Sequence, residues 1–338
     1  MPPLPVMLRR SFALLLPSLA LAGDPLGSGD FKWKSSPPLV AAAQRPEDPC
    51  DAIKDPTVVF HDGRWHLFCT IRSQKRTHQI EYLNFTDWKD ADKAPRHLLK
   101  LNDGYFCAPQ VFYYTPLKKW CLLYQTADKE RTPSLQPTLV MSDKLDYPAA
   151  WSKPVILWDK SWPACPHAID FWLICDATHA RLFFTSNDGK FWRSDAPLAD
   201  FPKGFTEPKL VLQGDLFEAS CTYKIKGGDY LTLIEAQGGG GRYFKAWTAP
   251  RLDAEWKPLA TTPGKSFASR NNITFPDGSK PWAQSISHGE LLRTGTDEKL
   301  EIDPTNLKLL YQGVTDAEMA GKPYGKIPWR LGLLELEQ

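Results

Sequence analysis

The sequence predicts an all-β chain, folded as a five-bladed β-propeller. Short apolar or alternating runs, bounded by turns, recur with almost no helical periodicity. They group into five units roughly 50 residues apart, and a four-stranded blade takes about 40–50 residues. The starts of the units also resemble one another, and three of them place a carboxylate at the mouth of an apolar strand. A β-sandwich, or a pair of sandwiches, is the competing architecture, but it does not require the unit starts to be alike.

The first unit carries the pattern most clearly. Ala52-Ile53-Lys54-Asp55-Pro56-Thr57-Val58-Val59-Phe60 puts Asp55 at the opening of an apolar run. His61-Asp62-Gly63-Arg64 is a turn signal, and residues 65–70 then alternate like a second strand. Residues 78–84 complete the unit. The second unit runs through 109–114, 120–126 and 138–142. The third starts at Ala168-Ile169-Asp170-Phe171-Trp172 and passes the turn Asn187-Asp188-Gly189. The fourth starts at Phe217-Glu218-Ala219-Ser220 and turns at Lys226-Gly227-Gly228-Asp229. The fifth starts near Ser287-His288-Gly289-Glu290 and ends with strands at 307–312 and 331–336.

Upstream of these units, residues 1–22 read as an export signal. Arg9-Arg10 supply a positive start, residues 12–21 an apolar stretch, and Ala20-Leu21-Ala22 a small-residue cleavage site. The apolar stretch is too short to span a bilayer. The Arg9-Arg10-Ser11-Phe12 run also resembles a twin-arginine signal, so either export route is open. Residues 23–49, rich in Gly, Pro, Ser and Asp, read as a linker or lead-in segment laid over the surface. Residues 50–338 then form the propeller domain. A secreted or periplasmic location is expected.

Composition narrows the partners. Of 338 residues, 24% are charged, and the net charge of +2 comes with no basic run, which argues against nucleic acid. The seven cysteines are odd in number and widely spaced, so they spell neither a disulfide framework nor a CxxC zinc site. Cys69, Cys121 and Cys175 lie in apolar runs and read as buried thiols. In an exported chain, one bridge among the seven remains open.

Asp55, Asp170 and Glu218 are the candidates for chemistry. Carboxylates are poor strand formers, so three of them at blade starts call for a reason. Inverting glycoside hydrolysis needs two carboxylates about 6.5–9.5 Å apart, with room for one water, a distance that carboxylates from separate blades could meet across a funnel. The acid of such a pair needs a raised pKa, from apolar walls or a neighbouring negative charge.

Longer segments carry a specific resemblance. They include Ile53-Lys54-Asp55-Pro56-Thr57-Val58-Val59, Ala108-Pro109-Gln110-Val111-Phe112-Tyr113, Ile169-Asp170-Phe171-Trp172-Leu173-Ile174-Cys175-Asp176, Leu216-Phe217-Glu218-Ala219-Ser220 and Ile286-Ser287-His288-Gly289-Glu290-Leu291. The strongest is Leu233-Ile234-Glu235-Ala236-Gln237-Gly238-Gly239. Together they resemble glycoside hydrolase family 62, the α-L-arabinofuranosidases of arabinoxylan, over about residues 31–337. The resemblance implies an inverting mechanism on a five-bladed propeller. Asp55 would be the general base, Glu218 the general acid, and Asp170 the residue that raises the pKa of Glu218 and orients it. Lys54 would contact the arabinose, and Tyr324 would contact substrate. His288 would face the propeller axis and hold a structural Ca2+, with water completing the shell. The partner would be arabinoxylan or its oligosaccharides, acted on by a monomer with no membrane contact.

Three features stay open or depart from the family. The run Gly238-Gly239-Gly240-Gly241-Arg242 is not a phosphate loop, since no Lys-Ser/Thr pair and no helix follow. It either lets backbone approach the sugar or simply turns the chain, and Arg242 either reaches the cleft or pairs on the surface. Tyr324 is followed by Gly325, where relatives commonly carry Asn, and Thr305 stands in a segment where relatives often carry a disulfide-forming Cys.

Overall fold

The computed structural model describes residues 24–238, 241–276 and 279–337. The export signal expected at 1–22 lies outside them. The strands form five sheets, and each is a blade of the expected propeller. Blade I holds Cys50–His61, Arg64–Ser73, His78–Phe85 and Arg96–Leu98. Blade II holds Phe106–Tyr114, Lys119–Ala127, Leu135–Ser142 and Val155–Ile156. Blade III holds Ile169–Cys175, His179–Thr185, Lys190–Pro197 and Lys209–Gln213. Within these blades every strand pairs antiparallel with the next, as hairpin connections require.

Blade IV is built on Cys221–Ile225, Tyr230–Gly238, Gly241–Ala249 and Lys257–Thr262. Blade V is built on Ser285–Leu291, Lys308–Val314 and Arg330–Leu336. Its next strand comes from the other end of the chain: Trp33 pairs with Leu336, Lys34 with Glu335 and Ser35 with Leu334. Within the segment expected to be a surface lead-in, Trp33–Ser35 is therefore corrected to a strand of blade V. The reason is burial. The Trp33 ring is fully buried, stacked 6.2 Å from Phe31 and tilted against Phe267 at 5.2 Å, and its indole N–H donates to the Phe267 carbonyl.

The turn chemistry accounts for the hairpins. His61 pairs with Arg64, leaving Asp62 and Gly63 as a two-residue loop, and both have positive φ, 48° and 72°. That is the mirror-image turn whose twist matches paired strands. Gly289 is required for a different reason. A Cβ there would stand 2.3 Å from the Leu310 carbonyl oxygen, so only glycine lets the inner strand of blade V pass its neighbour at the bulge beside His288.

Hydrogen bonds join the five inner strands into a ring. The Val111 amide donates to Thr57 Oγ1, and the Leu173 amide to Gln110 Oε1. Trp172 Nε1 donates to the Thr222 carbonyl, the Leu291 amide to the Tyr223 hydroxyl, and the Val58 amide to Glu290 Oε2. Each blade is thereby tied to the next, and blade V to blade I.

One end of the axis is closed by the segment after the inner strand of blade V. The Tyr113 amide donates to the Thr296 carbonyl, the Cys175 amide to Glu298 and the Lys224 amide to Leu300. Arg293 Nη2 donates to the carbonyls of Val58 and Val111, and its Nε lies 2.6 Å from Glu290 Oε1. This strap touches blades I to IV where their inner strands end. The funnel opens at the opposite face, where those strands begin.

All seven cysteines are buried and free, including the three read as core thiols. If the first strand of the chain is part of the fold, Trp33→Ala lowers stability by about 3–5 kcal/mol, the usual cost of emptying a buried Trp site. Chemical denaturation of the full chain measures it. A midpoint equal to wild type would return Trp33–Ser35 to the surface.

Candidate active site

The inner strands of blades I, II, III and V break their ladders near their starts. Register shifts fall between Lys54 and Thr57, Cys107 and Gln110, Ile169 and Trp172, and Ser287 and Gly289. The residue in the break is left-handed in blades I to III, at Asp55 (φ 48°), Ala108 (51°) and Asp170 (57°), and Ala219 (54°) takes the same conformation just ahead of the inner strand of blade IV. This conformation costs a non-glycine residue about 1 kcal/mol or more, and Asp tolerates it better than most. It also turns the amide away from its own sheet. The Asp55 amide donates to Gln312 Oε1, Ala108 to Thr70 Oγ1, Asp170 to Gln125 Oε1 and Ala219 to Asp170 Oδ2. In every case the acceptor belongs to the preceding blade.

The pattern corrects one expectation. Asp55 and Asp170 occupy the left-handed position itself. Glu218 sits one residue earlier, beside Ala219, and so corresponds to Lys54 in blade I and Cys107 in blade II. The longer Glu side chain starts from a different backbone position than the two Asp side chains.

The expected residues nonetheless converge. Asp55 Oδ1 lies 3.2 Å from His288 Nδ1, which lies 3.8 Å from Asp170 Oδ2. Asp170 Oδ2 accepts the amide of Ala219, next to Glu218. Glu218 Oε1 accepts from Arg242 Nη1, and the Arg242 guanidinium stacks 5.1 Å from the ring centre of Tyr324. The Tyr324 hydroxyl accepts from Lys54 Nζ at 3.1 Å, and Lys54 Nζ is 3.8 Å from Asp55 Oδ1. These contacts run from Asp55 back to Asp55 and enclose the mouth of the funnel. Arg242 is thus a residue of the site and not a surface ion pair. Tyr324 is 45% exposed and forms the lip, whereas Asp55, Asp170 and Glu218 are buried.

The glycine run has a steric reason at its end. A Cβ on Gly241 would meet Arg270 Nη2 at 2.5 Å and Ser285 Oγ at 2.9 Å, so a side chain there would displace the anchor of the Arg242 amide, Ser285 Oγ. Gly239 and Gly240 lie outside the described residues. At Gly325 an added Cβ would stand 3.4 Å from Arg72 Nε, in ordinary contact.

Electrostatics pushes the carboxylates apart. Burial raises Glu218, and the charges of Glu235 and then Asp170 raise it further; Arg242 opposes them, and the balance lies at about 7. Asp170 is therefore the smaller of two carboxylate influences on Glu218. Asp170 itself is held above its ordinary value by burial, with His288 opposing and Asp55 adding to the rise. Burial alone would also raise Asp55, but Lys54 and His288 beside it hold it below its ordinary value. Burial works against the charges of Lys54, Arg242 and His288, yet their carboxylate neighbours hold all three above their ordinary values.

Two residues of the site were not singled out from the sequence. Glu235 is fully buried and accepts from Arg242 Nη1 at 2.8 Å, Ser287 Oγ at 2.8 Å and the His288 amide at 2.9 Å. Its signal was present in the segment 233–239, where an acid stands inside an otherwise apolar strand. His78 is pushed down to about 4 by burial and by Lys54, so it is neutral, and its ring sits 5.4 Å from that of Tyr105. No local pattern marks a His that opens the third strand of a blade as a neighbour of the axis.

Around His288 the chain offers one imidazole, already facing Asp55 and Asp170. Among the described residues, no group of three His, Cys, Asp or Glu side chains is arranged to hold a metal ion. Nor is any helix among them long and apolar enough to cross a membrane.

Comparison with known proteins places this geometry. The family model described as glycosyl hydrolase family 62 matches residues 32–335. Alpha-L-arabinofuranosidase C of Cellvibrio japonicus is 38% identical in an alignment of 321 positions that covers 91% of this chain and 47% of that protein. The chain thus spans about half the length of that curated relative. The catalytic domain of the Coprinopsis cinerea family 62 α-L-arabinofuranosidase superposes with a TM-score of 0.84 at 36% identity, covering 91% of this chain and 98% of that one. A family 62 hydrolase solved in complex with xylotriose superposes with a TM-score of 0.83 at 35% identity, with coverage of 91% and 98%. From residue 32 to residue 335, and with Asp55, Asp170 and Glu218 gathered at one mouth, the chain belongs to glycosyl hydrolase family 62.

Proposed function

We propose that the chain is an exported, inverting α-L-arabinofuranosidase that removes single arabinose side chains from arabinoxylan. The observation that carries this reading is the split between two buried carboxylates at one funnel mouth: Glu218 at about 7, Asp55 below its ordinary value. Two carboxyl groups whose surroundings drive them apart make an acid and a base. The family membership and the xylotriose bound by the solved relative support the substrate class.

The roles follow from the charges. Ionised Asp55 takes a proton from a water, and that water attacks the anomeric carbon. As the glycosidic C–O bond breaks on the other side, protonated Glu218 gives its proton to the departing xylose oxygen. The products are arabinose of inverted configuration and a shortened side of the xylan. Asp170 fixes the backbone at Ala219 and keeps negative charge near Glu218. Lys54, Arg242 and Tyr324 line the mouth and would bind the arabinose and the adjoining xylose.

Calcium at His288 fits these surroundings poorly. Calcium takes six to eight oxygen ligands, and here one imidazole stands with two carboxylates already paired to it. No step of the mechanism runs through a cation. The reading takes the enzyme to be exported and monomeric.

NMR of the products from defined arabinoxylan oligosaccharides tests the proposal. Arabinose should be released with the β-anomer appearing first. Released xylose, or internal cleavage, would instead point to a β-xylosidase or an arabinanase on the same fold. No product at all would mark a propeller that binds sugar without cutting it.

Asp55→Asn and Glu218→Gln should each lower kcat by about 10²–10⁴-fold, the usual contribution of a positioned acid or base, with the melting temperature retained. The pH profile has a defined sign. Activity should fall as pH rises through about 7, where Glu218 loses its proton. It should hold on the acid side until Asp55 is protonated, below the ordinary carboxylate value. A profile rising through pH 8 would remove Glu218 from the acid role.

A further inference from the structure

Arg242 poses a problem for the acid it touches. Its Nη1 donates to Glu218 Oε1. A guanidinium bonded to a carboxylate favours the ionised form, which has no proton to give. Yet the reaction proposed above needs Glu218 to arrive protonated.

The resolution lies in the second strand of blade IV. The same Nη1 donates to Glu235 Oε1 at 2.8 Å. Glu235 is wholly buried, and its other oxygen accepts from Ser287 Oγ and the His288 amide in blade V. Ser287 Oγ in turn accepts from Gln312 Nε2 at 3.0 Å. Glu235 is therefore fixed on both oxygens, while Glu218 holds the guanidinium through one. Three aromatic rings, Phe217, Tyr324 and Trp329, lie 5.0, 5.1 and 5.6 Å from the guanidinium carbon and restrict its movement.

Resting on that reading of Glu218, we propose that Glu235 is a positioning residue for the reaction. It binds the charge of Arg242 from behind, so that the guanidinium points Glu218 toward the sugar without claiming its proton.

The charges around Glu218 agree. It is faced by Glu235 from the second strand of blade IV, Arg242 from the third, Asp170 from the inner strand of blade III, His288 from the inner strand of blade V, and Tyr324 from the lip. After burial, Glu235 is the largest influence that keeps Glu218 protonated, ahead of Asp170. Removing its charge leaves Arg242 paired with Glu218 alone. The alkaline limb of activity must then move to lower pH.

Glu235→Gln keeps the size of the side chain and removes only the charge. In kcat/KM profiles on an arabinosylated xylo-oligosaccharide, its alkaline limb should shift at least about one pH unit to the acid side, which is about a tenfold loss above the limb. Activity near pH 5 should stay within about threefold of wild type, and so should KM. Glu235→Asp retains the charge and should return the limb to its wild-type position. Ser287→Ala removes a partner of Glu235 without touching its charge. With Glu235 held less firmly behind Arg242, the limb should move to the acid side by less than in Glu235→Gln, and an unmoved limb would overturn the proposal, which covers the case in which the Gln variant does not fold. An equal loss at every pH, or an unmoved limb in a folded Gln variant, overturns the proposal. If wild type is active but Glu218→Gln keeps the same alkaline limb, the fault lies with the role given to Glu218 instead.

Discussion

An amide turned out of its own sheet and captured by the preceding blade organises this molecule. At Asp55, Ala108, Asp170 and Ala219 the backbone adopts a left-handed conformation that strands avoid. An unpaired buried amide would cost about 1–3 kcal/mol more. The side chains of Gln312, Thr70, Gln125 and Asp170 each meet one of those amides from the preceding blade. The strain persists because a neighbouring sheet over-determines it, as is common where a protein stores strain at a functional site. One device therefore does two things. It links blade to blade, and it aims the side chain at the bulge toward the axis.

The same geometry explains why so many charges share one buried mouth. Asp55, Asp170, Glu218 and Glu235 face Lys54, Arg242 and His288. Buried charges survive only when paired. Here the pairing is uneven. Asp55 lies beside two cations, whereas Glu218 shares one cation with a second carboxylate. The difference in company separates a group that stays ionised from one that holds a proton near neutrality. It arises from which blade contributes which neighbour, so the proposed acid–base assignment rests on the fold.

Much of this was readable from residues. The Asp62-Gly63 turn, the alternation after it and the spacing of the units located all five blades, because a hairpin is a local object. Asp55, Asp170 and Glu218 stood out because acids at strand starts are unusual. The rest depends on contacts between distant parts of the chain. Trp33–Ser35 completes blade V by pairing with residues some 300 positions away, and nothing in a Gly- and Pro-rich stretch announces its partner. The offset of Glu218 follows from which residue takes the left-handed conformation, a choice between neighbours that spacing cannot make. Glu235 was visible only as an acid inside an apolar strand. Its meaning came from Arg242 in the adjoining strand and from Ser287 and His288 in another blade.

Closure of the far end of the axis gives the site its polarity. The segment after Leu291 reaches the inner strands of blades II, III and IV through backbone hydrogen bonds, and Arg293 reaches blades I and II. With that end closed, the mouth bordered by Tyr324 lies at the opposite face. A funnel open at one end keeps the carboxylates at its wall poorly hydrated. Low hydration raises Glu218 toward neutrality, and it strengthens each charge–charge contact on which the division of roles relies. The strap makes no hydrogen bond or ion pair to Asp55, Asp170 or Glu218. It acts on them through the dielectric, by deciding which side of the propeller is wet.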